Sequence, residues 1–551
     1  MLLFAFGMIV VAIAQVGCGS TSIITTMHRA SCHDRLRCSP GPRPRVARRV
    51  IALALIASTM SLPLPAIPAT DAPLRTTLPN LGDSASDDLS PITERKLGEE
   101  IMRQAREAGD VMEDAESTEY LNNFGANLVA HVAPGDTAQS FQFFFVADPQ
   151  INAFALPGGY IGLNSGLVVA TQSESELGSV MAHEMGHVLQ RHIARSIARQ
   201  KQTNLIALAA TLLGVLAASR AHTVDAGQAA IAAGQGYAIQ DQLNFGRDAE
   251  READRVGFQI LQNSGFDVNG MANFFGRLQQ ATRFYETSAP AFLQSHPLTT
   301  ERIADIQNRI RESPYKQRPD SFDFQLVRAR LRVIQDPTVQ GVRDARAAFE
   351  DQLKSGAYAS EAAIRYGVAV AMLKQNDAKG AGEELDKVRK LVPKPNAILA
   401  NLAIDVKQAS GDAGGAIDLA KAARAQFPQS RMLAQNYADS LQQAGRHDEA
   451  IAFLRDQMQL YRSEPVLYEL IAKSYAAQGE TMVSHRMLGE AYLLRGSVPG
   501  ALEQMKIARK SAPAHADFYE LSQIDARVRE LQVRMEEIRK AEKDGGLRSA
   551  R

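Results

Sequence analysis

Apolar positions recur at helical spacing along most of the chain and at strand spacing in one short interval. From Ile92 the pattern runs through Leu97, Ile101, Met102 and Ala105, the positions of one helix face. After a stretch dominated by Asp and Glu to Glu119, it resumes with Tyr120, Leu121, Phe124, Leu128 and Val129. Phe141 to Val146 is instead a β-prone run bounded by turn residues. Asn152 to Leu163 reads as a strand, a Pro157-Gly158-Gly159 turn and a second strand. Helices continue to about residue 312. The expectation for 91–315 is an α+β domain, mostly helical with a small sheet.

Leu205 to Ala218 is almost wholly apolar, but its 14 residues fall short of the roughly 20 that a bilayer span needs. Two readings stay open: a buried helix or hairpin, or a peripheral membrane contact or moving flap. The Gly-, Ala- and Gln-rich stretch 226–236 after it points to mobility.

From about residue 340 the chain becomes Ala- and Leu-rich and repeats itself. Ala381, Ala416 and Ala450 lie 35 and 34 residues apart. Gly411 and Gly445 each stand five before their alanine, and Pro393 and Pro428 each stand twelve after. Ala501, with Gly496 before it and Pro513 after it, repeats the unit. Small residues where paired helices touch, and a proline closing each pair, describe a tetratricopeptide (TPR)-like array. The step from Ala450 to Ala501 is 51 residues, one and a half periods, so 479–494 is expected to be one longer helix shared between repeats. Asp517–Lys543 is expected to cap the array. An all-α TPR-like domain is thus expected over 340–545, with linkers at 71–90 and 316–339.

Composition alters this picture at the N-terminus. The 551 residues balance 61 basic against 61 acidic side chains, which argues against a nucleic-acid partner. A mean hydropathy of −0.19 excludes a polytopic membrane protein. Seven of the basic residues but only one acidic residue lie in 1–70, together with all three cysteines. Arg43 to Arg49, the apolar run from Val50 to Leu62 and the small residues up to Ala69 read as a signal peptide. Residues 1–26 read as an upstream extension, with Met27 or Val46 as the effective start. From residue 71 onward the chain is mildly acidic, 54 basic against 60 acidic residues, and free of cysteine. That suits export to an oxidising compartment such as the periplasm.

The chemistry concentrates in His183-Glu184-Met185-Gly186-His187. On a helix, residues four apart share a face, so His183 and His187 can aim two imidazoles at one ion while Glu184 stands beside it. Such an ion needs a third ligand from elsewhere. Glu250 and Asp254, also four apart, supply a carboxylate ligand and a hydrogen-bond acceptor for a ligand histidine. Glu252, about 200° round that helix from Glu250, is expected to be a solvated charge. His192, five beyond His187, is expected to be turned away from the site and not to be a ligand.

With these motifs in view, the sequence resembles the zinc metallopeptidases related to HtpX and the CAAX prenyl proteases. HEMGH, EREAD some sixty residues on, Asn152–Ala155 with Pro157-Gly158-Gly159, and Ser295 to Arg302 carry the resemblance. It implies a zincin-like fold, one Zn²⁺ held by His183, His187 and Glu250, and Glu184 as the catalytic base. It also implies Asp254 behind a ligand histidine and Asn152, Ala153, Phe154 and Ala155 as the strand on which substrate adds. His296 would either stabilise the oxyanion or cap the open metal position, and Arg302 would support its loop. The repeats make the chain similar to exported members of the family that act in outer-membrane β-barrel assembly. The implied partners are unfolded or misassembled outer-membrane proteins, and the assembly machinery bound through the repeats. The alternative is an adaptor or chaperone working mainly through the repeats.

Overall fold

The computed structural model describes residues 90–132, 140–199, 236–284, 290–514 and 516–549, which belong to one compact unit. The leader, the linker at 71–89 and the apolar stretch Leu205–Ala218 lie outside the described residues.

Two capped helices open the fold. Helix α1, Pro91–Glu107, starts on Ser90, whose hydroxyl accepts from Thr93 N, with Pro91 at its first position. Helix α2, Ala115–Val129, starts on Asp114, which accepts from Ser117 N. The sheet comes next: β1, Gln142–Val146; β2, Ala153–Leu156; and β3, Tyr160–Asn164, in the order β1-β3-β2. β1 runs parallel and β2 antiparallel to β3. The Pro-Gly-Gly turn between β2 and β3 takes φ of 80° at Gly158 and 88° at Gly159, values open to glycine at no steric cost.

The remaining helices of this region are α3 (Ser165–Ala170), α4 (Glu174–Leu189), α5 (His192–Arg199), α6 (Gly236–Asn263), α7 (Asn269–Phe284), α8 (Ala291–Ser295) and α9 (Thr300–Glu312). Helix α4 is central and buried almost all round. Its Leu177, Val180, Met181 and Met185 join Leu121 and Phe124 of α2, Ile161 and Leu163 of β3, and Phe258 and Leu261 of α6 in one core.

That core does not stop at residue 315. Helix α10, Phe322–Ile334, occupies the expected linker and buries Phe324, Leu326, Val327, Leu331 and Val333. This narrows the linker expected at 316–339: its middle, 322–334, is a helix whose apolar face is buried, and only the short stretches on either side of it are non-helical and exposed or half-buried. The same cluster continues into Phe349, Tyr366, Val370 and Leu402.

The array comprises α11 (Val339–Ser355) and then α12 (Glu361–Lys374), α13 (Ala378–Leu391), α14 (Ala397–Ala409), α15 (Ala413–Gln426), α16 (Arg431–Gln443), α17 (His447–Leu460), α18 (Pro465–Ala477), α19 (Thr481–Leu494), α20 (Val498–Lys510) and α21 (Phe518–Ser549). The sequence repeat is a turn repeat: Asn376, Gly411, Gly445 and Gly479 all have positive φ between the helices of a pair. The longer shared helix over 479–494 is corrected. Gly479 closes α18, and α19 is an ordinary 14-residue helix. Ser484, 34 beyond Ala450, holds the small-residue position, and its hydroxyl donates to the Ala472 carbonyl at 2.9 Å. Ala501 belongs to the next helix, after another positive-φ turn at Gly496.

Acidic residues of the first two helices bind the array. Asp114 pairs with Arg330 of α10 at 2.7 Å, and Glu116 accepts from Tyr366 of α12 and from Asn401 of α14 at 3.3 Å. Glu119 accepts from Met432 N at the start of α16 at 2.7 Å, and Glu107 accepts from Ser497 at 2.9 Å. Part of the face made by the first helices of the pairs is therefore filled by α2 of the same chain.

Candidate active site

Helix α4 carries His183, Glu184 and His187, and helix α6 crosses it where both are stripped to small residues. A Cβ added at Gly186 would sit 2.8 Å from the Ala253 carbonyl oxygen, and one at Gly257 would sit 2.8 Å from His183 N. This approach sets Glu250 and Asp254 beside the two histidines. His183 Nε2 lies 3.1 Å from His187 Nε2 and 3.4 Å from Glu250 Oε2, and His187 Nε2 lies 3.4 Å from Glu250 Oε1.

These separations test whether a metal fits. A tetrahedral ion with bonds of about 2.0–2.1 Å spaces its ligand atoms roughly 3.3–3.4 Å apart. The two histidine–carboxylate pairs match that spacing, and the histidine pair at 3.1 Å falls just inside it. His183, His187, Glu250 and His296 offer ligand atoms within 4.8 Å of one another. Both Glu184 oxygens are buried without a hydrogen-bond partner among the described residues. A buried carboxylate in that state fits a group that acts on a bound water. The residues fit a metal centre.

His296 stands at the fourth corner. Its Nδ1 is 3.4 Å from His183 Nε2 and 3.0 Å from Glu250 Oε1, and its Nε2 is 3.4 Å from Glu184 Oε1. His296 is the C-cap residue of the short helix α8, its backbone amide donating to the Phe292 carbonyl at 2.8 Å. Arg302, buried on α9, pairs through Nε and Nη2 with Asp254 at 2.7 and 2.8 Å. Its Nη1 reaches the Pro297 carbonyl at 2.8 Å and Glu250 at 2.9 Å. Asp254 in turn lies 3.0 Å from His183 Nδ1, opposite the nitrogen that faces the metal position.

The electrostatics agree. Burial alone would lower His183, but Asp254 and Glu250 outweigh it and hold the ring at about 10. Burial pulls His187 well below the usual imidazole range. Burial would raise Glu250, yet His296, His187 and His183 keep it well below the carboxylate range. The cluster favours positive charge at its centre, a preference that a cation satisfies as well as a proton.

Strand β2 lies at the sheet edge beside α4. The Asn152 carbonyl accepts from Asn164 N at 3.0 Å, and Phe154 is opposite Gly162. By antiparallel alternation Ala153 and Ala155 turn their backbone groups away from β3. On that outer side the Ile151 carbonyl accepts from Phe292 N of α8 at 3.1 Å.

Comparison with known proteins agrees with this geometry. Residues 116–310 match the family model described as Peptidase family M48. The beta-barrel assembly-enhancing protease of Escherichia coli K12 is 30% identical over 463 residues, 84% of this chain and 93% of that protein. The chain belongs to the M48 metallopeptidases. The protein of the same name from Yersinia pestis is 30% identical over 86% of this chain and 95% of its own length. The mitochondrial metalloendopeptidase OMA1 of Schizosaccharomyces pombe is 26% identical over 42% of this chain and 65% of its own length. Among solved structures, yeast Tom70 matches 66% of this chain and 82% of its own at 11% identity, with a TM-score of 0.27. The helix pairs of the array are defined by their own positive-φ turns.

Two readings of this M48 site need correction. His192 stands outside the group of candidate ligands, as expected, but it is not turned away: α4 ends at Leu189, Arg191 takes φ of 49°, and the chain re-enters with His192 as the first residue of α5. Its Nδ1 lies 2.9 Å from His187 Nδ1. Glu252 is not a solvated charge. It points to the side of α6 opposite Glu250, as helical geometry requires, but that side faces α5. There its Oε2 meets His192 Nε2 at 3.0 Å and Arg195 Nη1 at 2.6 Å. The His192 bond and Arg195 hold Glu252 at about 2 against its burial. Gly186 and Gly257 were also missed. A lone glycine inside a helical pattern, next to a metal motif, was the available signal.

Proposed function

We propose that this metallopeptidase is a zinc-dependent endopeptidase of the periplasm that cuts extended segments of unfolded or misassembled outer-membrane β-barrel proteins, with its repeats binding the assembly machinery. The observation that carries the reading is the buried Glu184 carboxylate, without a hydrogen-bond partner among the described residues, beside the His183, His187 and Glu250 cluster. Relatives named for β-barrel assembly, which this chain covers almost end to end, support the client class.

Bound zinc would polarise a carbonyl and acidify a water. His183, His187 and Glu250 would hold it, and Asp254 would fix the His183 tautomer. Glu184 would take a proton from the attacking water and return it to the leaving amine. A substrate strand would pair with the outward backbone of Ala153 and Ala155, beside Asn152 and Phe154, which suits low sequence specificity. His296 at the fourth corner supports a capped resting state, with Arg302 holding its loop through Pro297.

Glu184→Gln tests the reading. Bound zinc should stay stoichiometric while hydrolysis of casein falls about 10²- to 10⁴-fold; retained hydrolysis would overturn it. His296→Ala should raise hydrolysis if the ring caps the site. The same His296 position favours a second reading, an adaptor working chiefly through its repeats with latent proteolysis. Full rescue of an outer-membrane defect by the Glu184→Gln variant would select it.

A further inference from the structure

We propose that His192 and Glu252 are positioning residues for His187, forming a hydrogen-bonded relay that fixes its tautomer and tightens the hold of the site on its metal. The inference rests on the metallopeptidase reading of the cluster.

The direction of every bond in the relay is set by one requirement. His187 Nε2 faces His183 Nε2 at 3.1 Å and Glu250 at 3.4 Å, so its lone pair is needed there for a cation. A neutral imidazole then carries its proton on Nδ1. That proton faces His192 Nδ1 at 2.9 Å, and two nitrogens can share only one hydrogen. His192 must therefore accept through Nδ1 and carry its own proton on Nε2. Nε2 lies 3.0 Å from Glu252 Oε2, an acceptor at all times when ionised. Arg195, one turn along α5, fastens the same oxygen at 2.6 Å. No bond in the chain can be reversed without removing the lone pair from the metal position.

The other ligand histidine has a parallel arrangement. His183 Nδ1 meets Asp254 at 3.0 Å, and Arg302 pairs with that carboxylate. Both ligands are thus backed by an arginine-fastened carboxylate from helix α6, Asp254 on one side and Glu252 on the other. The difference is reach: Asp254 touches its histidine directly, and Glu252 needs His192 as a spacer. The left-handed turn at Arg191 is what brings His192 back into that gap.

The test measures zinc affinity of the purified full chain by competition with a chelator, alongside thermal unfolding with and without zinc. His192→Phe keeps ring volume but loses the acceptor, and should bind zinc about 10- to 100-fold more weakly. His192→Asn places an oxygen near the Nδ1 position and should recover most of that loss. Glu252→Ala should weaken binding about 10-fold or more. Each zinc-free variant sets its own melting baseline, and the loss appears as a smaller rise when zinc is added. Wild-type affinity in His192→Phe, or in Glu252→Ala should the first variant not fold, would overturn the relay. So would a His192→Asn variant as weak as His192→Phe, which would leave only packing. A wild-type chain that binds no zinc would instead overturn the metallopeptidase reading beneath it.

Discussion

Gly186 of α4 and Ala253 of α6 are in backbone contact: a Cβ on Gly186 would lie 2.8 Å from the Ala253 carbonyl oxygen and 2.9 Å from its Cα. Neither atom can move without moving α6, and α6 carries Glu250. Gly186→Ala should therefore separate the ligands and cost about 1–3 kcal/mol of stability, with zinc affinity reduced. Gly276→Ala is the control. That glycine lies inside α7 with nothing within 4 Å of its would-be Cβ. It should gain roughly 0.5–1 kcal/mol. Denaturant unfolding with metal analysis would read both, and equal signs would refute the contact.

Ala155 and Leu156 should respond differently to proline. Ala155 turns its amide away from β3, so Ala155→Pro leaves the ladder intact and removes one donor from a paired substrate. The loss of one such bond, roughly 0.5–1.5 kcal/mol, lowers kcat/KM about 2- to 13-fold. Leu156 is opposite Tyr160 in the hydrogen-bonded register, and Leu156→Pro should lower the melting temperature instead. Unchanged kcat/KM in Ala155→Pro would exclude substrate pairing at this edge.

Glu116 gives the fold a pH dependence remote from the metal. Burial, opposed by Arg330, pushes its carboxyl up to about 7 from an ordinary 4.5. The folded state then binds more protons than the unfolded state between those values, so stability falls as pH rises from about 4.5 to 7. The full change is roughly 3 kcal/mol at about 1.4 kcal/mol per pH unit. Glu116→Gln should flatten melting temperature against pH across this window. Neighbouring Asp114 has the opposite sign: Arg330 outweighs burial and holds it at about 2, below its ordinary 3.8. Its contribution is present above about pH 3.8 and is lost as pH falls towards 2.

Glu119 closes the start of a helix more than three hundred residues away by accepting from Met432 N and the Ser430 hydroxyl. Glu119→Ala should cost about 0.5–2 kcal/mol, as loss of an N-cap does. Hydrogen exchange at the Met432 amide should speed up locally, ahead of the rest of α16. Unaltered exchange would mean that Ser430, which accepts from Leu433 N, is sufficient.

Local pattern was legible wherever a residue's role depends on its neighbours in sequence. The strand, Pro157-Gly158-Gly159 turn and strand were readable because period-two alternation and positive-φ turns are short-range properties. Ala381, Ala416 and Ala450 were readable because each repeat contacts mainly the next. The break after Ala450 was misread because Ser484 stands in for alanine: the packing requirement is small volume, not one residue type. His183, Glu184 and His187 were legible because helical spacing alone puts two of them on one face.

The sequence by itself thus determined the helices, the strands, the repeat period and the donor types of a metal centre. Tertiary structure decided the facing of Glu252, the return of His192 behind His187, the place of His296 at the fourth corner and the packing of helix α10 within the expected linker. Helical periodicity tells which residues share a face, but not whether water or another helix covers it. At Glu252 the face beyond α6 is α5, and at α10 it is the core on both sides, contacts between residues far apart in sequence that no local spacing encodes.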